Sequence, residues 1–246
     1  MSEAGQGVCL VIGAGEGLGA SIARAFAREG LRVCVTRRPR HMDAIDKLKE
    51  TIRAEGGEAY AFGLDARVEA DVVGLVERIE REIGPIEVLV FNIGANVRFP
   101  IVETTTRVYS KVWEMAALAG FLASRESARG MIERGRGAIL FTGATASVRG
   151  GSGFSAFAGA KHALRALAQS LARELGPKGI HVAHVVIDGA IDGAFIRSIM
   201  PDAAEKLKRD EILVPDEIAK NYVWLYRQRR SAWTFEMDLR PWSETW

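Results

Sequence analysis

An unbroken apolar run, Val8-Cys9-Leu10-Val11-Ile12, ends on Gly13-Ala14-Gly15-Glu16-Gly17-Leu18-Gly19, and no other stretch constrains the fold as tightly. Five apolar residues closed by a glycine are the length of a buried strand and too short for a buried helix. Four glycines in the next seven positions exclude a helix or strand interior and call for a turn whose backbone goes where a Cβ cannot. Residues 21–30 then carry apolar side chains at helical spacing, Ile22, Ala23 and Phe26 among them, and stop at Gly30. Strand, tight turn and helix follow in that order.

The cycle repeats. Residues 32–36 read as a strand, 44–55 as a helix closed by Gly56-Gly57, 58–64 as a strand, 69–83 as a helix closed by Gly84-Pro85, and 88–91 as a buried strand. One long helix over 106–133, a strand over 138–142, a helix over 155–175 capped by Ser155, a strand over 181–187, a helix over 218–226 and a half-exposed strand over 234–239 complete the series. Strands alternating with helices predict an α/β doubly wound parallel sheet, a Rossmann fold, with helices on both faces.

With 246 residues, 48% of them hydrophobic and 26% charged, the chain is sized for a single domain over 1–246. Its net charge of +2 and scattered basic residues lack the footprint of a nucleic-acid binder. Cys9 and Cys34 sit in strand-like apolar runs and read as small hydrophobes, so neither a disulfide nor a metal site is expected. The run Met1 to Gly7 is polar, the last residues 243–246 match no address signal, and nowhere do eighteen apolar residues run together, which predicts no membrane partner and a cytoplasmic location. Residues 189–213 fit the alternation least well, and read either as a mobile loop-and-helix lid over a site or as a solvated insertion.

A glycine turn between a strand and a helix lets backbone N–H groups and the positive helix end approach a pyrophosphate. Gly13, Gly15, Gly17, Leu18 and Gly19 are therefore expected to bind a nicotinamide dinucleotide. An acid some twenty residues on would hold the ribose 2′-hydroxyl of NAD. The chain instead gives Thr36-Arg37-Arg38-Pro39-Arg40, so NADP(H) is the expected preference, with NAD(H) still admissible; the alternative is a solvated basic loop.

The spacing resembles the short-chain dehydrogenases/reductases, whose first turn is T-G-x-x-x-G-x-G: Gly13, Gly17 and Gly19 match and Ile12 replaces the threonine. The resemblance runs nearly the length of the chain. Asp65 stands at the family's adenine-contacting aspartate, Asn92-Ile93-Gly94 at its N-A-G, Ala156 to Lys161 at its Y-x-x-x-K helix, and Asp188-Gly189-Ala190-Ile191 at its P-G-x-I turn beside the nicotinamide. It implies that Asp65, Asn92, Gly94, Lys161, Gly189 and Ile191 also hold the cofactor. It implies, too, a homotetramer or dimer paired through 106–133 and 155–175. Glu16 departs from the basic residue that many NADP-preferring relatives carry.

Members of that family protonate the substrate oxygen with a tyrosine, assisted by a lysine, a serine and an asparagine. Lys161 matches the lysine, but Phe157, Ala144 and Ala117 stand at the other three positions, and Phe154 at the tyrosine of the enoyl-reductase branch. Phenylalanine has no proton to give and alanine no hydroxyl. Thr145, Ser147 and Tyr109 are the leading stand-ins, with Thr142, Ser155, Asn96, His162, Asp188 and Asp192 behind them. Three functions fit: reduction of a conjugated C=C, a quinone or an imine; carbonyl reduction with a displaced donor such as Tyr109 or Asp188; and a catalytically inactive NADP-binding subunit. Arg149 and Phe154 suggest a small apolar substrate with an anionic end.

Overall fold

The computed structural model describes residues 7–245; the amino-terminal run before Gly7 and the final Trp246 lie outside the described residues. Seven strands, β1 (Val8–Ile12), β2 (Arg32–Arg37), β3 (Ala59–Gly63), β4 (Ile86–Phe91), β5 (Gly137–Thr142), β6 (Ile180–Ile187) and β7 (Glu236–Leu239), form one sheet in the order β3-β2-β1-β4-β5-β6-β7. Every neighbouring pair is parallel. The order reverses between β1 and β4, and at such a switch point the carboxyl ends of the strands open a crevice.

The side-chain period of two divides the core. Cys9 and Val11 face α1 (Leu18–Arg28), α2 (Met42–Ala54) and α9 (Pro215–Arg227), which contribute Ile22, Phe26, Ile45, Ile52, Ile218 and Leu225. Val8, Leu10 and Ile12 face α3 (Glu69–Glu82), α5 (Ala119–Arg134) and α6 (Ser155–Leu175), which contribute Val76, Ile79, Leu122 and Leu164. Each of these buried aliphatic or aromatic side chains contributes roughly 1.5–3 kcal/mol of transfer free energy. Cys9 and Cys34 are free and buried in these layers.

Two local expectations are corrected. The helix over 106–133 is not continuous: α4 (Thr106–Trp113) passes through a π-helical turn, Glu114–Leu118, into α5. The wider turn shifts the helical register by a residue, burying Ala116 against Phe157 and Ala160 of α6 while Met115 reaches the crevice. Ser155 is not the cap of α6. The Phe154 carbonyl already accepts from the Ala158 N–H at 2.7 Å, so Phe154 holds the cap position, and the buried Ser155 hydroxyl has no hydrogen-bond partner among the described residues. The segment 189–213 folds into α7 (Ala194–Ile199) and α8 (Ala203–Lys208), its ends clipped together by a bridge between Ile191 and Leu213. No helix among the described residues is long and apolar enough to cross a membrane.

Candidate active site

The crevice at the switch point is a cleft of about 1030 Å³. Its floor begins with the glycine turn. Gly13 and Ala14 donate backbone N–H groups to the Thr36 carbonyl at 3.2 and 3.0 Å, and the Asn92 side chain donates to the Gly13 carbonyl at 3.1 Å, so β1, β2 and β4 brace the turn together. Gly13 has φ +93°, and a Cβ there would meet the Asn92 carbonyl oxygen at 2.7 Å; a Cβ on Gly19 would meet the Gly13 oxygen at 2.5 Å. The turn is thus a cradle closed by backbone alone. Helix α1 starts at Leu18 with no side-chain cap and points its positive end into the cleft beside Gly15, Gly17 and Gly19.

One end of the cleft is basic. Arg37, Arg38, His41, Asp65 and Arg67 line it. Arg67 grips Asp65 through two nitrogens, at 2.9 and 2.6 Å, and this pairing holds the carboxyl below the usual range. Arg37 and Arg38, by contrast, form no ion pair or side-chain hydrogen bond with any described residue. Burial and the neighbouring charges of Arg40 and Arg67, opposed by Asp65, lower the Arg38 guanidinium, and desolvation followed by the charges of Arg37, Arg40 and Arg38 lowers His41. Such a cluster of unneutralised cations is built for an anion.

At the other end Lys161 is 2% exposed and donates to the carbonyls of Ile93, at 3.1 Å, and Thr142, at 2.9 Å. Burial pushes its ammonium down to about 8. Thr142 is fixed from behind, its hydroxyl sharing a 2.7 Å hydrogen bond with Tyr222 of α9. Phe157 and Ala144 line the cleft beside Lys161, as do Asn92, Gly94, Gly189, Ile191 and Asn96.

The stand-ins separate in space. Thr145 reaches the cleft, but its hydroxyl donates to Asp188 at 2.5 Å. Ser147 is fully buried and outside the lining, its oxygen accepting the Ala144 N–H at 3.0 Å. Tyr109, 47% exposed on α4, faces Gly159 of α6 and stays out of the cleft. Ala117 is buried in the π turn and does not line the cleft either. His162 is exposed and bonded to the Ala158 carbonyl, and Asp192 lines the cleft paired to Arg197 at 2.7 Å.

The sequence from residue 7 to residue 203 matches the family described as short chain dehydrogenase. The chain belongs to that family. A short-chain dehydrogenase from Rhodopseudomonas palustris has a structure 49% identical in sequence, with a TM-score of 0.82 over 96% of this chain and 99% of its own. Sorbitol-6-phosphate 2-dehydrogenase of Escherichia coli is 30% identical over 88% of this chain and 82% of its own length. An actinorhodin polyketide ketoreductase variant, crystallised with NADPH, is 25% identical with a TM-score of 0.85 over 96% of both chains. This short-chain dehydrogenase is an oxidoreductase by family and carries the family's fold.

Two features of its site were missed from the sequence. His184 of β6 is fully buried and 3.0 Å from Glu236 of β7, which Arg165 of α6 also grips at 2.6 and 2.7 Å. Burial, more than the carboxylate opposes it, pushes the imidazole down to about 4. The acceptor-only carboxylate accepts a hydrogen bond from Nδ1–H, which leaves Nε2 buried without a partner among the described residues. Tyr222, the clamp behind Thr142, was read only as part of an amphipathic helix. Apolar spacing signals that a residue is buried; it carries no signal for which polar tip it brings along.

Proposed function

We propose that the chain is an NADP(H)-dependent reductase of a conjugated C=C bond, a quinone or an imine, and that it acts on a small apolar substrate. The observation that carries this reading is the wall around Lys161: Phe157 and Ala144 line the cleft where the family resemblance calls for a proton donor and an oxygen-binding hydroxyl, and the buried lysine is kept. Gly13, Gly15, Gly17, Leu18 and Gly19 fit a pyrophosphate, since the cradle leaves no room for a Cβ at Gly13 or Gly19. Arg37 and Arg38 would hold a 2′-phosphate, and Asn92, Gly94, Lys161, Gly189 and Ile191 the nicotinamide half. Asp65 would act on the adenine side through the Arg67 pair. When bound, the cofactor supplies a hydride.

The chain's own residues then have limited tasks. Lys161 donates to the ribose hydroxyls and orients the ring; the apolar wall excludes water; 189–213 covers the opening. Hydride addition to the β-carbon of an enone would leave an enolate, and to a quinone a hydroquinone anion, each of which takes its proton from solvent, while an imine would arrive already protonated; the pocket then need offer only a hydrogen bond at the oxygen and no strong acid at position 157. Thr145 is a weak choice for that hydrogen bond because its proton is committed to Asp188. The test is cofactor oxidation with a panel of enones, quinones, imines and simple ketones, beside thermal-shift titration with NADPH. Turnover of enones, quinones or imines well above ketones is expected; binding with no turnover on any of them would overturn the catalytic reading.

The same reading makes the protein a cytoplasmic homo-oligomer, a tetramer or dimer. Large apolar side chains are exposed on the helices expected to pair, Tyr109 and Trp113 on α4 and Phe121 on α5. Light scattering at micromolar concentration should give at least twice the chain mass of 26.8 kDa. A mass equal to one chain would refute the pairing.

A further inference from the structure

Three side chains near Phe154 form a linked set that the dinucleotide does not require. Asp188, at the end of β6, is only 3% exposed. Its carboxylate accepts from the Thr145 hydroxyl at 2.5 Å and from Arg149 Nη2 at 3.2 and 3.4 Å, with Arg240 Nη2 3.9 Å away. A buried carboxylate is costly without such partners. Arg149 is different in kind: its side chain is 41% exposed and it lines the cleft. Only Nη2 is engaged, and Nε and Nη1 have no hydrogen-bond partner among the described residues. A guanidinium is a planar fork of five donors, so an arginine held through one nitrogen still offers donors to a second planar acceptor.

The surroundings say what that acceptor is attached to. Ala144, Ala146, Phe154 and Phe157 give the neighbouring wall no charge. Arg98 stands over the Phe154 ring at 5.6 Å and forms no ion pair with a described residue, which adds positive potential at the same mouth. Of the acids that line the cleft, Asp65 and Asp192 are taken by Arg67 and Arg197, and Glu16 belongs to the glycine turn.

Resting on the reading above for where the reducible bond lies, we propose that Arg149 anchors the substrate and that the substrate is a small apolar molecule bearing a carboxylate. Asp188 and Thr145 are positioning residues: Asp188 holds the guanidinium at the cleft wall, and the Thr145 hydroxyl fixes Asp188. A carboxylate, flat and singly charged, matches the edge of the fork that Asp188 leaves free.

The test is calorimetric titration of the protein, with and without saturating NADP⁺, by trans-cinnamate, phenylacetate and hexanoate, each beside its methyl ester. At least one acid should bind tenfold or more tightly than its ester. Arg149→Gln should erase that difference, and Arg149→Lys, which keeps the charge and loses the fork, should restore part of it. No acid outbinding its ester, or an acid preference untouched in Arg149→Gln, would overturn the proposal. An NADPH titration of the same samples reads the underlying assignment separately: NADPH bound equally by all three proteins shows that they are folded and assigns the lost preference to Arg149. Failure of NADPH to bind, with the acid preference intact, would remove the cofactor assignment and leave the anchor standing.

Discussion

Replacing Arg37 and Arg38 together by alanine is expected to weaken NADPH binding by about 100-fold and to leave NADH binding within a factor of two. The reason lies in what these arginines lack. Arg24, Arg28, Arg67, Arg125, Arg134 and Arg165 are each satisfied by a carboxylate of the chain, whereas Arg37 and Arg38 line the cleft with none. Arg38 is desolvated and repelled by Arg40, Arg67 and Arg37, with Asp65 opposing them, and a phosphate would relieve that repulsion. A hydrogen bond to a charged group contributes about 1.5–3 kcal/mol, so losing two of them partly re-solvated gives a loss of the stated order. The Asp65–Arg67 pair lies outside the substitution and keeps the adenine side intact for both cofactors. Fluorescence titration of the variant with the two cofactors measures the ratio directly. Equal affinity of the unaltered protein for NADPH and NADH would end the assignment, as would an equal loss for both in the variant.

That cluster was legible because it depends on sequence-local facts: the strand end fixes Arg37, and no acid follows it within reach. The sheet was legible for a similar reason. Runs such as Val8–Ile12 have the length and unbroken apolar character of a buried strand, and glycines at the ends of helices mark where each cycle closes. The glycine cradle was legible as a motif, although its cause is a contact across 79 residues, between Gly13 and Asn92. What stayed hidden depends on where a side chain's polar end goes after the fold has formed. Thr145, Ser147 and Tyr109 have equivalent hydroxyls on paper. The fold spends the first on Asp188, buries the second beneath the Ala144 N–H and sends the third to the outer helix pair. Asp188 sits at the end of a strand that is apolar apart from its two histidines, and sequence gave no sign that Arg149, 39 residues earlier, would meet it. The π turn at Glu114–Leu118 escaped because a one-residue slip in a helical period lies within the tolerance of any amphipathic pattern.

Lys161→Met is expected to lower turnover at saturating NADPH by 100-fold or more while leaving the cofactor-free protein at least as stable as before. The two halves have one cause. A buried ammonium that donates to two neutral carbonyls and stands 6.0 Å from the centre of the Phe157 ring has no carboxylate among the described residues to offset its lost hydration, which is why burial depresses it from 10.5 to about 8. The unfolded chain then binds the proton more tightly than the folded one. Folding bears a cost of about 3 kcal/mol below pH 8, and that cost fades as pH rises from about 8 to 10.5, where both states are neutral. Methionine removes the charge and fills much the same volume, so the variant should match or exceed the parent in thermal stability at pH 7, with the gap closing toward pH 10. Function runs the other way. The parent's turnover should fall as pH rises through about 8, because the ammonium that orients the ribose is being lost, and the residual activity of Lys161→Met should show no such break. A misplaced reacting pair costs about 100-fold for a displacement near one ångström, which sets the scale of the loss. Turnover unchanged at saturating cofactor would show that hydride transfer proceeds without this lysine. A variant much less stable than its parent at pH 7 would show that the lysine is retained to satisfy Ile93 and Thr142 rather than to serve the site.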